Sequence, residues 1–185
     1  MRVTRLRKGD NEMVGKFLRY AGVAIVGGLL VVAPVSATRP QASFGFNGTV
    51  SGFPTGAVFL TGGGVYDLAS GFVHSAGGFR CLEDVQQGPL AGCLTGEGIR
   101  WDTGEVLEGT TFKCTGSADE AAKTATTSDT TAVLESDFYR AGDGVDESFT
   151  AQLIVSSTDI APDIEGFQNL WIQGVGCGTA TLNFR

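Results

Sequence analysis

The single histidine of the sequence, His74, is the side chain best suited to acid–base catalysis near neutral pH. A serine nucleophile would need this histidine as its base and a carboxylate behind it, and Ser70, Ser75 and Asp67 lie nearby in the sequence. However, the sequence has no Gly-x-Ser-x-Gly motif, and adjacent strand residues point to opposite faces, which separates Ser75 from His74. His74 is therefore the one catalytic candidate, and a structural or surface histidine is the simpler interpretation.

Acidic residues at the tip of one predicted hairpin are the candidate metal ligands. Carboxylates on a loop suit calcium, and the three that crowd together here are Asp143, Asp146 and Glu147. The spacing of an EF-hand loop is absent, and Asp-Gly is typical of ordinary turns. We therefore expect a solvated turn here, and no metal site.

A second group of acids surrounds a tryptophan, a pattern that also occurs in enzymes that cleave sugars. The acids that flank Trp101 are Glu97, Asp102, Glu105 and Glu108. Paired carboxylates beside an aromatic ring suit a sugar cleft. In a chain this acidic, a solvated surface explains the same grouping more simply.

Aromatic side chains are the candidates for lining a cavity that holds an apolar ligand. The four considered are Tyr66, Trp101, Tyr139 and Trp171. Aromatic residues dominate the core of small domains, so we expect most of them to be core residues. The triple glycine Gly62-Gly63-Gly64 does not end in the Gly-Lys-Ser/Thr of a phosphate-binding loop. The sequence thus predicts no cofactor.

Four cysteines, Cys81, Cys93, Cys114 and Cys177, predict two disulfides in an oxidising compartment. Three pairings are possible, and we favour Cys81–Cys93 with Cys114–Cys177. The first pair closes a glycine-rich loop, and the second ties the last strand to the middle of the chain. A metal site is disfavoured because the sequence has no Cys-x-x-Cys and no histidine near the cysteines.

Alternating apolar and polar residues recur along the chain and indicate β-strands. The pattern is clear at residues 44–51, at 133–139 with 149–156, and at 179–184. Their number and spacing predict an all-β fold, an antiparallel barrel or sandwich of about eight strands held by disulfides. We favour the barrel slightly, because glycines recur inside the strands; the triple glycine is expected to form a bulge or a sharp bend.

The stretch Thr61–Gly71 resembles the glycine-rich hairpin of dirigent and allene-oxide-cyclase-type barrels. The resemblance covers only this stretch. In that family the hairpin lies late in the domain, whereas here it lies early, so the resemblance implies no functional residue.

One segment allows a helix. Ser117 is a suitable N-cap, and Asp119 and Lys123 have the spacing of a stabilising pair on a helix face. A polar surface loop accounts for the same residues equally well.

The first 37 residues have the features of a signal peptide cleaved after Ala37. A basic front precedes the apolar run Ala21–Ala33, and Val35-Ser36-Ala37 places small residues at the cleavage site. A signal peptide is predicted whether translation starts at Met1 or at Met13. The alternative interpretation of the segment is an uncleaved membrane anchor. Residues 38–185 then form one secreted β-domain, which we expect to be bacterial.

The charge of this domain limits its partners. Residues 1–37 carry six basic and two acidic residues, so 38–185 carry seven basic and 18 acidic residues, a net charge of −11 against −7 for the whole chain. Such a charge disfavours nucleic acid and anionic membranes. We expect a secreted or envelope-associated, non-enzymatic binding domain, with a small apolar ligand or a protein partner. The alternatives are a barrel enzyme (a cyclase, isomerase or hydrolase) using His74, and a structural or protein-interaction module.

Overall fold

The computed structural model describes residues 41–139 and 147–185, in which every regular element is a β-strand. The strands are Ala42–Gly52 (β1), Ala57–Asp67 (β2), Phe72–Glu83 (β3), Arg100–Val106 (β4), Gly109–Phe112 (β5), Lys123–Thr126 (β6), Thr131–Tyr139 (β7), Glu147–Ser156 (β8), Leu170–Ile172 (β9) and Gly176–Phe184 (β10). Within these residues no helix is long and apolar enough to span a membrane. The predicted signal peptide lies outside the described residues.

Eight of the strands close into an antiparallel barrel, in the order β1-β10-β9-β8-β7-β4-β3-β2. Neighbours in the barrel follow one another along the chain, except that β5 and β6 leave it and form a separate two-stranded sheet. The last strand closes the barrel against the first, with Phe184 opposite Phe44. The predicted all-β fold is confirmed, and of its two forms the barrel is the one adopted.

Apolar side chains at alternate strand positions fill the barrel. In β1, Phe44, Phe46 and Val50 are buried, whereas Asn47 and Thr49 are exposed. This is the period of two that the sequence predicts for a strand with one buried face. Other interior residues come from every barrel strand, among them Leu60, Phe79, Trp101, Leu134, Phe138, Leu153, Ile172 and Ala180.

A second apolar cluster lies between the outer surface of the barrel and the β5–β6 sheet. Val133, Ile154 and Trp171 belong to β7, β8 and β9, yet they pack with Phe112 of β5 and Ala125 of β6. The rings of Phe112 and Trp171 are 5.4 Å apart. Because the β5–β6 sheet covers this side of the barrel, strands β7 and β9 are buried on both faces there.

Gly62, the first residue of the triple glycine, makes room for a tryptophan. Gly62 pairs with Gly77 in an unbroken register, and Gly77 pairs with Trp101 on the next strand. A Cβ atom added to Gly62 would lie 2.5 Å from Cζ2 of Trp101. The indole therefore occupies the space that a side chain at position 62 would need, and its N–H donates to the Thr61 carbonyl at 3.1 Å. Of the predicted bulge or sharp bend at these glycines, the bulge is wrong, since the irregularity between β2 and β3 lies at Ala57 and Val58.

Both favoured disulfide pairings are confirmed. Cys81–Cys93 closes a loop at the end of β3, and Cys114–Cys177 joins the residues after β5 to the start of β10. The second bond thus fastens the β5–β6 sheet to the barrel. Two disulfides are consistent with an oxidising environment outside the cell.

The helix alternative for the segment that follows Ser117 is wrong. Residues 118–120 form a turn, and Lys123 already begins strand β6. The turn is held by Glu120, whose carboxylate accepts hydrogen bonds from the backbone N–H groups of Cys114 and Thr115, both at 2.7 Å. These local bonds satisfy the backbone in a tight turn, which competes with the helix.

Candidate functional site

The catalytic candidate His74 lies on the outer face of β3. Its side chain is exposed, and it makes no hydrogen bond or ion pair with any described residue. Ser75 points the opposite way, into the barrel, where its hydroxyl lies 2.5 Å from that of Thr103. Asp67 accepts a hydrogen bond from Ser70 at 2.8 Å in the turn after β2. His74 is therefore not assembled with a serine and a carboxylate into a relay.

The aromatic candidates Tyr66 and Trp101 are buried in the barrel. The hydroxyl of Tyr66 donates to the carbonyl of Ser128 and approaches that of Thr131 at 3.2 Å. Burial, together with the nearby charge of Asp129, raises the pKa of this hydroxyl from 10.0 to about 12. Both side chains are thus engaged by the protein itself.

The other two aromatic candidates lie outside the barrel, in different places. Tyr139 is half-buried at the end of β7, with the guanidinium of Arg100 3.9 Å from its ring centre. Trp171 is buried beneath the β5–β6 sheet, and its indole N–H donates to the Lys113 carbonyl at 2.8 Å. The four aromatic candidates therefore do not surround one common cavity.

The barrel interior is filled by its own side chains. Leu60, Trp101, Phe138 and Leu153 have no exposed surface. A void large enough to hold water beside them would leave part of their surface accessible. The clefts described next all lie outside this interior.

The acidic candidates are distributed over the surface. Glu97 accepts a hydrogen bond from the Leu94 N–H at 2.9 Å, and Asp102 pairs with Arg100 at 2.7 Å. Glu105 and Glu108 are exposed, while Trp101 points inward, so no acid faces its ring. Among described residues, no three His, Cys, Asp or Glu side chains form a group that could hold a metal ion. Asp143 and Asp146, and the side chain of Glu147, lie outside what the structure describes.

The largest of the described clefts, which we name the β5 groove, has a volume of about 480 Å³. Residues 111–113, at the end of β5, form one wall, and Phe53 and Pro89, from loops at the end of the barrel, form another. Trp171 lies at its base and is 3% exposed as a residue. The base of the groove is therefore rigid and apolar.

The polar side chains of the β5 groove present hydrogen-bond donors. The carbonyl oxygen of Gln173 accepts the backbone N–H of Gln152 at 3.2 Å, and that of Gln152 accepts the Thr110 hydroxyl. The NH₂ group of each glutamine is left without a partner among the described residues. Among the described residues that line the groove, Lys113 is the one charged side chain and none is a carboxylate. A ligand rich in hydrogen-bond acceptors is therefore favoured in the β5 groove.

Glu120 holds the end of the β5 groove in place. Besides two backbone N–H groups, its carboxylate accepts hydrogen bonds from the Thr115 hydroxyl at 2.6 Å and from Lys123 at 2.9 Å. Burial by itself would raise the pKa of this carboxyl, but the hydrogen bonds outweigh it and lower the pKa from 4.5 to about 2. The ionised carboxylate thus fixes the turn whose Gly116 and Ala122 border the groove.

A second cleft, of about 380 Å³, lies on the outer face of β2 and β3. Phe59 and Ile99 form its apolar walls, and Gly78 and Arg80 also line it. Arg80 forms no ion pair with a described residue. This cleft is smaller than the β5 groove, and its wall residue Ile99 is 53% accessible.

Sequence reasoning missed the residues that line the β5 groove, apart from Trp171. Gln152 and Gln173 carry no motif, and Phe53 lies in a turn after a strand. One available signal was the uncharged polar side chain at an outward position of a strand, as at Gln152.

Comparison of the chain with known proteins finds no matching family model, no matching curated protein and no matching solved structure.

Proposed function

We propose that the chain is a secreted, non-enzymatic binding domain that holds an apolar group of its ligand in the β5 groove. The observation that carries the proposal is the open groove of about 480 Å³ with Trp171 at its base, outside a barrel that is already filled. A ligand meets the domain at its outer surface, since the interior offers no space. Pockets of this volume, apolar with a few polar groups, are typical of ligand sites.

Rigidity of the groove supports the proposal. Its walls belong to a sheet fastened by Cys114–Cys177 and by the Glu120 carboxylate, and Gln87 ties the opposite loop to the Gly174 carbonyl at 2.8 Å. A preformed site loses little conformational entropy on binding. The geometry therefore favours recognition without rearrangement of the backbone.

The uncharged apolar dye Nile red provides a direct test. We expect the fluorescence of the dye to rise on binding to the protein, and we expect binding to weaken when a bulky side chain introduced by substitution fills the groove. Ala122→Trp places a ring at the edge of the groove, whereas Ala121→Trp, at an equally exposed neighbour that does not line it, is the matched control. We expect Ala122→Trp to weaken binding about tenfold and Ala121→Trp to leave it unchanged. Equal binding by both variants, or no binding to the parent protein, would refute the proposal.

A protein-interaction module is the second candidate, because apolar side chains lie exposed near the Cys81–Cys93 loop. Leu94 and Ile99 are each 53% accessible. A self-association measurement separates this from the first candidate: replacing both by serine abolishes association if this surface is an interface. The enzyme alternative gains no support from His74, which lies exposed and apart from Ser75 and Asp67.

A further inference from the structure

The small β5–β6 sheet has one strand edge that borders the β5 groove. In an antiparallel pair, opposite residues alternate between hydrogen-bonded and non-hydrogen-bonded pairs. The Thr127 N–H donates to the Glu108 carbonyl at 2.9 Å, which makes these two residues a hydrogen-bonded pair. Counting from there, Thr110 and Ala125 are hydrogen-bonded, whereas Thr111 and Thr124 are not.

Residues of the non-hydrogen-bonded pairs direct their peptide groups away from the partner strand. On β5 these residues are Gly109 and Thr111, both of them exposed. Neither the N–H nor the carbonyl of Thr111 has a hydrogen-bond partner among the described residues. An unpaired edge of this kind is a template for another strand.

Thr111 is also one of the residues that line the β5 groove. We propose that the domain binds an extended peptide segment of a partner protein, which adds to the outer edge of β5 as a further strand. The inference rests on the proposed function, and it identifies the apolar group in the groove as a side chain of that peptide. Gly109 and Thr111 are two residues apart, which is the spacing at which an added strand makes its hydrogen bonds.

The chemistry of the groove selects the side chains of the peptide. Successive side chains of a strand point to opposite faces, so alternate residues of the peptide enter the groove. An apolar side chain of the peptide meets Phe53 and Trp171. A carboxylate meets the NH₂ group of Gln173 and the ammonium of Lys113, which also donates to the Ser117 carbonyl at 2.9 Å. No described residue of the lining is a carboxylate that would repel it, although residues 38–185 carry a net charge of −11. The partner segment is therefore apolar and acidic.

The opposite edge of the same sheet provides a matched control. Thr124 of β6 lies directly across from Thr111, is also exposed, and directs its peptide group outward from the other edge. Thr124 does not line the β5 groove. Proline at either position removes one outward N–H without breaking a β5–β6 hydrogen bond, because edge strands tolerate proline where the N–H faces solvent.

The experiment selects binders from a phage-displayed library of random linear peptides, with the mature disulfide-bonded protein as target. We expect the selected peptides to combine apolar and acidic residues. A synthetic copy of one peptide should bind Thr111→Pro about tenfold more weakly than the parent protein, and Thr124→Pro as well as the parent. Hydrogen exchange of the parent protein supplies a second measurement that needs no variant: the peptide should protect the Thr111 amide and leave the Thr124 amide unprotected.

The outcomes distinguish the inference from the proposed function. Nile red bound in the groove, together with peptides whose affinity is insensitive to Thr111→Pro, overturns strand addition and leaves the groove as a binding site. The absence of any selected peptide overturns strand addition in the same way. If the parent protein binds neither Nile red nor any selected peptide, both proposals are refuted. Protection of the Thr111 amide by increasing protein concentration alone would show that a second copy of the chain occupies the edge, and would overturn the peptide proposal.

Discussion

Gly62→Ala tests the packing of Trp101 in the barrel. A Cβ atom at this position would lie 2.5 Å from the indole, 2.7 Å from the Ala76 carbonyl oxygen and 3.1 Å from Cα of Gly77. The two backbone atoms belong to a strand paired with β2, and Trp101 is fully buried, so neither side can move freely. Overpacking of this kind costs about 3 kcal/mol of the free energy of unfolding.

Urea unfolding followed by far-ultraviolet circular dichroism measures this cost. Gly45→Ala is the matched control, because Gly45 lies in the adjacent strand and its added Cβ would meet no atom closer than 3.9 Å. We expect the control to change the free energy of unfolding by no more than about 0.5 kcal/mol. The difference between the variants then reports local crowding, since both replace a strand glycine by alanine.

A double-mutant cycle with Trp101→Phe isolates the share of the cost due to the indole. The smaller ring relieves the contact with Cζ2, while the contact with the Ala76 carbonyl remains, so we expect a coupling of about 1 kcal/mol. If Gly62→Ala is as stable as Gly45→Ala, or if the effects of Gly62→Ala and Trp101→Phe add without coupling, the reasoning is refuted.

Three further predictions concern the charged and covalent supports of the fold. Glu120→Gln should lower the free energy of unfolding by about 2 kcal/mol at neutral pH, because the carboxylate accepts several hydrogen bonds. Folding lowers the pKa of Glu120 from 4.5 to about 2, so the stabilisation is present above pH 4.5 and is lost as the pH falls towards about 2. Urea unfolding should therefore show the stabilities of the parent protein and Glu120→Gln converging over that pH range. A difference in stability that stays constant with pH would contradict this. Tyr66→Phe should lower the free energy of unfolding by about 1 kcal/mol and remove the tyrosine that ionises near pH 12 in an ultraviolet titration. Because folding raises the pKa of Tyr66 above 10.0, its contribution to stability falls as the pH rises from 10.0 towards about 12. An ultraviolet titration that the substitution leaves unchanged would argue against burial of Tyr66. Replacing Cys114 and Cys177 by serine should cost about 4 kcal/mol, against about 3 for Cys81 and Cys93, because the sequence separations closed are 63 and 12 residues; calorimetry showing the reverse order would contradict the loop-entropy argument.

Several features of the fold follow from local sequence patterns. Phe44, Phe46 and Val50 alternate with polar residues, and this alternation places them on one face of a strand whatever that strand pairs with. The favoured cysteine pairing was also correct, although the sequence left three pairings possible; it was preferred because one bond closes a glycine-rich loop and the other ties the last strand to the middle of the chain. The sequence favoured the barrel over the sandwich only slightly, since both folds use the same alternation.

The candidate site was not predictable in the same way. Val133, Ile154 and Trp171 point outward from the barrel, and the sequence alone does not show what covers an outward face. They are buried because the β5–β6 sheet and the loop that contains Ala161 fold over them. The helix considered after Ser117 is also replaced by a turn. Glu120 holds this turn by accepting hydrogen bonds from the N–H groups of Cys114 and Thr115, which belong to the disulfide-bonded segment.

What the sequence determines by itself is therefore the strand pattern, the disulfide-bonded all-β class and the inward or outward direction of most side chains, because these depend on a period of two along the chain. The tertiary structure decides closure of the barrel, the space for Trp101 at Gly62, and the groove beside β5. Those features depend on which distant segments meet, and the free energy of such contacts comes from packing between surfaces that no local pattern specifies.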